Sequence, residues 1–260
     1  MLAITGTLKL YRDALTDTWG SLQRSALALG ALLVATPVLL VAGVLAAPLG
    51  MAGGFIVGML HAALVGWYLH AVSLGVVQRR RVVLSDLTRT FGVYLWEVIS
   101  VLFIFWIADL LVLRHLSFGW VIVLIAGVVF NPVPELIYLG RSRSLELLAD
   151  AARFVQDNWP EWIAVHLIGA GVAGGALWLL VGPAMGAAYG VWLLQLFGPW
   201  FGFISSGTLV LGLAGQGPVG ILTGVLVAVA IHAWMLFRGH LFLRLSRSSR
   251  RTRAWQARLR

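Results

Sequence analysis

Six polar side chains stand out in a chain of 260 residues that is 60% hydrophobic and 11% charged: His70, Glu97, Asn131, Glu135, His166 and His232. Each falls inside an apolar run long enough to cross a bilayer. An ionisable group at the centre of a span costs about 2.5–3.5 kcal/mol on insertion scales, so every such residue is a site hypothesis by default. Two carboxylates and three imidazoles lining one cytoplasm-open cavity could hold a cation or relay protons. The competing arrangement is plainer. Polar groups near span ends satisfy one another and interfacial water, and Glu135 is reached by a snorkelling Arg141 or Arg143. Counted from Gly119 at 1.5 Å per residue, Asn131 lies about 18 Å and Glu135 about 24 Å along its span. Both belong to the half where the cost of polarity falls.

The elements that must carry these residues follow from hydropathy. Six spans are expected, at 25–48, 54–77, 92–113, 119–139, 162–185 and 218–237. No Asp, Glu, Lys or Arg occurs from Trp162 to Phe237. With six spans, all but one of the 19 Lys and Arg residues fall on one side. Lys9, Arg12 and Arg24 precede the first span, and Arg79, Arg80, Arg81 and Arg89 follow the second. Arg238 and the arginines after it follow the sixth, and Arg114 alone stands opposite. The positive-inside rule makes that crowded side cytoplasmic, with both termini inside a prokaryotic inner membrane. Residues 186–217 are apolar enough for a seventh span, but a seventh would send one basic cluster outside. They are therefore expected to form a Gly/Pro-broken re-entrant or interfacial hairpin on the outer face. The basic N-terminal segment precedes an apolar run too long for a signal-peptide core, so the first span reads as an uncleaved anchor.

The stretch Asn131-Pro132-Val133-Pro134-Glu135 predicts a helix that kinks or ends near Asn131. Each proline lacks a backbone donor and obstructs the preceding turn, and the Asn131 side chain is expected to bond the freed carbonyls. Three segments ahead of spans also resemble one another. Leu-Thr-x-Thr-aromatic-Gly recurs in Leu15 to Gly20 and Leu87 to Gly92 at a shift of 72, and Val155 to Trp162 is a looser copy. Apolar residues at steps of four, four and three define an expected face in each: Tyr11, Leu15, Trp19 and Leu22; Val83, Leu87, Phe91 and Tyr94; Ala151, Val155, Trp159 and Trp162. These read as amphipathic helices on the cytoplasmic leaflet. The single domain 1–260 then divides into units 7–78, 79–144 and 145–245, each a helix plus a hairpin of two spans, with a basic tail at 246–260.

No H-E-x-x-H, G-x-S-x-G or Walker loop is present, and there is no cysteine. Zinc proteolysis, elbow-type acyl transfer, self-contained ATP hydrolysis and thiolate chemistry lack support, so no catalytic residue, metal or cofactor is assigned. The net charge of +9 sits at the membrane surface, which argues against nucleic acid. Arg250, Arg251 and Arg253 in the tail would attract anionic lipid head groups at about 1 kcal/mol each. Glycine pairs such as Gly54/Gly58 and Gly171/Gly175 have the small-xxx-small spacing that permits close helix packing.

This layout resembles the permease subunits of ABC-2-type exporters: a leading amphipathic helix, six spans, both ends inside and a broken hairpin before the last span. That resemblance implies an outer hairpin that helps gate. It also implies a cytoplasmic ATPase docked on Gln78 to Gly92, with Arg79, Arg80 and Arg81 at its start. The three-fold repeat and the long stretch Leu145 to Glu161 depart from that family. They look more like a group of six-helix bacterial membrane proteins that includes the membrane domain joined to some glycerophosphodiester phosphodiesterases. No motif carries a family residue onto this chain. The expected role is a non-enzymatic membrane subunit of a multi-component transport or assembly system. A small-solute or ion carrier and a membrane scaffold are the alternatives.

Overall fold

A computed structural model describes residues 2–140, 143–197 and 217–247. The described elements are helices: α1 (Leu2–Arg24), α2 (Ala26–Ala46), α3 (Met51–Val76), α4 (Leu84–Arg89), α5 (Leu95–Leu111), α6 (Gly119–Val129), α7 (Val133–Leu139), α8 (Ser144–Phe197) and α9 (Pro218–Arg247). Short 3-10 turns at Ala47–Leu49 and Leu113–His115 close the α2/α3 and α5/α6 connections. In the first of these, Pro48 opens the turn and Gly50 ends it at φ +55°, a left-handed conformation that glycine adopts without strain.

Four described stretches are long and apolar enough to cross a membrane: Ala26–Leu49, Met51–Val76, Val121–Leu139 and Ile221–Arg247. The protein is therefore an all-α, polytopic membrane protein. The third stretch is interrupted where expected. α6 stops at Val129, Pro132 and Pro134 flank the first residue of α7, and Gly140 at φ +63° caps its end.

Two expected boundaries change. α8 runs unbroken for 54 residues, about 81 Å, so the amphipathic stretch and the fifth apolar run share one helix. It carries helical backbone through Gly182 and Pro183 to Phe197, so the expected hairpin is not broken over 186–197. The remainder of that hairpin, 198–216, lies outside the described residues, as do Arg250, Arg251 and Arg253. α9 does not end at 237 but continues for ten further residues, because Gly239 to Leu245 is still mostly apolar and finds helices to pack against.

The larger of two buried clusters runs from Ala14 of α1 through Val65 and Val72 of α3 to Leu147 and Ala151 of α8 and Leu241, Phe242 and Leu245 of α9, and a smaller one seats Leu87 of α4 against α2 and α3. The apolar face expected of α1 is divided: Tyr11 and Leu22 pack against the core, and Leu15 and Trp19 stay on the outside, where a helix at the leaflet surface would present them. Ala14, Thr18, Ser21 and Ser25, at steps of four, three and four, are buried, while Leu15 and Trp19 point outward. Small and hydroxyl-bearing residues win the inner face because α1 packs closely against a polar side of α9. Close approach also falls on unexpected glycines. A Cβ at Gly54, Gly58, Gly171 or Gly175 would meet nothing within 4 Å, whereas one at Gly66 would lie 3.1 Å from the Tyr94 backbone.

Candidate functional site

The break between α6 and α7 positions the most concentrated polar cluster. Glu135 is in the first turn of α7 and is fully buried. Its partner is neither Arg141 nor Arg143 but Arg238, on the added length of α9. One guanidinium nitrogen of Arg238 donates to Glu135 Oε2 at 2.9 Å and to the Asn131 carbonyl at 2.7 Å. The carbonyl at the broken helix end is thus satisfied by arginine, not by the asparagine side chain. Asn131 Oδ1 instead accepts from Trp162 Nε1 at 3.1 Å. Arg238 also lies over the Trp162 ring, 5.7 Å from its centroid, a cation–π geometry. His166 Nδ1 is 2.7 Å from the Trp162 carbonyl one turn back on α8.

A second polar seam joins α1 to α9. His232 uses both ring nitrogens, Nε2 at 3.0 Å from Ser25 Oγ and Nδ1 at 2.9 Å from Tyr68 Oη. Two turns further on, His240 Nε2 is 2.8 Å from Ser21 Oγ, which donates to the Gly75 carbonyl at 3.0 Å. Arg244 then donates to Asp17 Oδ2 at 2.6 Å. As numbers rise along α9 they fall along α1, so the two helices run antiparallel. Partial burial pushes the Asp17 carboxyl up, but the Arg244 hydrogen bond and the charges of Arg244, His240 and Arg79 outweigh it and hold it below the usual range. Burial, helped by the Glu161 charge, pushes the Tyr11 phenol up to about 12. Its hydroxyl donates to the Glu161 carbonyl at 2.6 Å, tying α1 to α8.

The six expected site residues do not all meet. Asn131, Glu135 and His166 gather around Arg238 and Trp162, while His232 belongs to the α1 seam beside Tyr68. His70 packs near Tyr94, 6.0 Å between ring centroids, and Glu97 is half-buried at the start of α5. Among the described residues, no group of three or more His, Asp and Glu is placed to hold a metal ion. Glu135 Oε1, Arg238 Nε and Tyr138 Oη are buried without a protein hydrogen-bond partner.

The residues that sequence reasoning missed are Arg238, Ser21, Ser25 and Tyr68. Arg238 was legible in one respect. The apolar pattern resumes after it, so it interrupts a helix and does not begin a tail.

The segment between α3 and α5 is built as a fixed projection. Arg80 grips Asp86 with two bonds of 2.8 Å, and Asp86 caps α4 by accepting from the Val83 N–H at 3.0 Å. The Arg80 hydrogen bonds hold the Asp86 carboxyl below its usual range. Trp67 Nε1 donates to the Leu87 carbonyl at 2.6 Å, and the Val82 N–H donates to the Arg24 carbonyl at 2.9 Å. Arg79, with φ +53°, and Arg81 are exposed beside the exposed Val83 and Leu84.

No family model, curated protein or solved structure matches this chain. What the fold defines is the class, a multi-pass helical membrane protein.

Proposed function

We propose that this chain is the non-enzymatic membrane subunit of a multi-component transport or assembly system in a prokaryotic inner membrane. In this reading it has six spans with both termini cytoplasmic, and it docks a cytoplasmic ATPase on the segment from Gln78 to Gly92. The observation that carries the reading is the anchoring of that segment. Bonds to the Arg24 carbonyl and from Trp67, with the Arg80–Asp86 pair inside the segment, fix it in place; Arg81, Val83 and Leu84 are exposed, and so is Arg79, whose guanidinium also reaches Asp17 at 3.8 Å. A preorganised basic and apolar surface costs little ordering entropy when an acidic groove closes on it. The carrier reading gains less support, because the most buried carboxylate, Glu135, is already neutralised by Arg238.

Gentle purification of the tagged protein from its native membrane, followed by mass spectrometry, tests the docking. A stoichiometric cytoplasmic ATPase that is lost when Arg79 and Arg81 are changed to Gln supports it. A partner-free product sinks it and leaves the scaffold as the better reading.

A further inference from the structure

The aromatic residue at the same place in each of the three repeated segments is exposed: Trp19 at 66%, Phe91 at 54% and Trp159 at 56%. A soluble surface gives no reason to present three such rings at equivalent positions. Their levels can be read against α9. Ser21 meets His240 and Asp17 meets Arg244, so Trp19 stands beside the last turns of α9. Trp162 faces Arg238 and Phe154 stacks on Phe242 at 4.2 Å, which puts Trp159 at that same level. Phe91 packs on Trp67 at 6.2 Å, next to the Tyr68 that bonds His232, about two turns deeper. The purely apolar ring is the deeper one, and the two indoles, each with an N–H, are the shallower.

On α1 the outward stripe is Leu8, Arg12, Leu15 and Trp19, spaced by four, three and four residues. It continues through the Ser25 junction into Leu27, Val34, Val38 and Val41, the outward side of the first long apolar helix. Arg12 sits in the middle of that stripe with its side chain 76% exposed. Its Nε has Asp13 Oδ1 at 3.8 Å, a loose pair that would be the guanidinium's only charged contact among the described residues if a second copy or another apolar protein face covered the stripe. Against anionic phosphates it is matched, while the leucines reach toward acyl chains.

We infer that Trp19 and Trp159 mark the cytoplasmic head-group level with Phe91 about two turns below them, and that α1, standing antiparallel to α9, carries Leu15 and Arg12 up from Trp19 against anionic phosphates. The parts of the inference at α1 and Trp159 do not depend on the ATPase docking; Phe91 lies at the end of the docking segment and is the one ring the two readings share.

The absence of native cysteine makes the test clean. Single-cysteine chains (Leu15→Cys, Trp19→Cys, Phe91→Cys and Trp159→Cys) are spin-labelled and reconstituted in phosphatidylglycerol-containing vesicles. Collisions with oxygen and with a water-soluble nickel complex are then compared. Val41→Cys is the acyl-chain reference, and Glu146→Cys, exposed about two turns beyond Phe154 at the start of α8, is the water reference. The oxygen-to-nickel ratio at all four positions is expected to fall between the references, with Phe91→Cys closest to Val41→Cys. Replacing phosphatidylglycerol with phosphatidylcholine shifts Leu15→Cys toward water. Ratios equal to the water reference, or shielding from both reagents by covering protein, overturn the inference. Leu15→Cys changes only an exposed aliphatic side chain, so α1 remains testable if losing an indole disturbs the fold.

Discussion

The guanidinium of Arg238 lies 2.9 Å from the carboxylate of Glu135, with both side chains 1% exposed or less. This pair ties the broken start of α7 to the middle of α9 and brings Asn131 and Trp162 with it. Removing one charge strands the other in a low-dielectric interior, at a cost of about 3–5 kcal/mol. Removing both with apolar residues of similar size leaves no stranded charge. Glu135→Gln and Arg238→Met are each expected to lower the unfolding midpoint of the detergent-solubilised protein sharply. The double variant Glu135→Leu with Arg238→Met is expected to recover most of the loss. A double variant as unstable as the two single losses added together would show that the pair does not act as a unit.

Ser21 and Ser25 are the hydroxyls that let α1 lie close against α9. Ser21→Ala deprives His240 of its partner and also breaks the bond to the Gly75 carbonyl. Ser25→Ala leaves His232 with Tyr68 alone. Each change leaves a buried polar group unmet, so each is expected to cost about 1–3 kcal/mol. Protease protection of α1 reads the outcome directly. Unchanged cleavage rates in both variants would mean that apolar packing alone holds the helix.

The two kinds of site residue were not equally legible. The apolar runs and the prolines at 132 and 134 predict the membrane class and the break after Val129, because both depend on local chemistry. The partner of Glu135 does not follow from local chemistry. Arg238 is 103 residues away, and counting it among cytoplasmic charges hid that α9 continues past it. α1 shows a second limit of the same kind. Leu15 and Trp19 satisfy a helical period as well as Thr18 and Ser21 do, and nothing in one helix says which face meets protein and which meets lipid. In a membrane protein both faces are attracted to something, so period alone does not choose.

Asp17 gives the α1 seam a pH dependence whose sign is fixed. Its folded-state pKa lies below the ordinary aspartate value of 3.8 because Arg244, His240 and Arg79 outweigh its partial burial. The contribution is fully present above about pH 4 and is lost as pH falls through the lowered folded value. Tyr11 acts at the other end. Its pKa is raised to about 12, so its contribution is present below pH 10 and lost as pH rises toward 12. Protection of α1 is therefore expected to be flat across neutral pH and to fall at both extremes. Asp17→Asn is expected to weaken it at neutral pH and remove the acid limb, and Tyr11→Phe to remove the alkaline one. Acid sensitivity that survives Asp17→Asn unchanged would assign that limb to another carboxylate.

Gly239 follows Arg238 directly and marks a close approach between α9 and its neighbours. A Cβ there would collide with the Tyr138 hydroxyl and lie 3.1 Å from both methyls of Val76. Gly239→Ala gains helix propensity, yet the overpacking is expected to exceed that gain and destabilise the protein by about 1–3 kcal/mol. The colliding atom is a hydroxyl without a protein hydrogen-bond partner, so deleting it sacrifices no bond to the protein. Tyr138→Phe is expected to be mild alone and to restore part of the stability of Gly239→Ala, with the Val76 contacts accounting for the remainder. Unfolding midpoints of the wild type, the two single variants and the double variant measure this coupling. Additive effects would place the strain elsewhere on α9, and a partial rescue confined to the double variant would locate the clash at the Tyr138 oxygen.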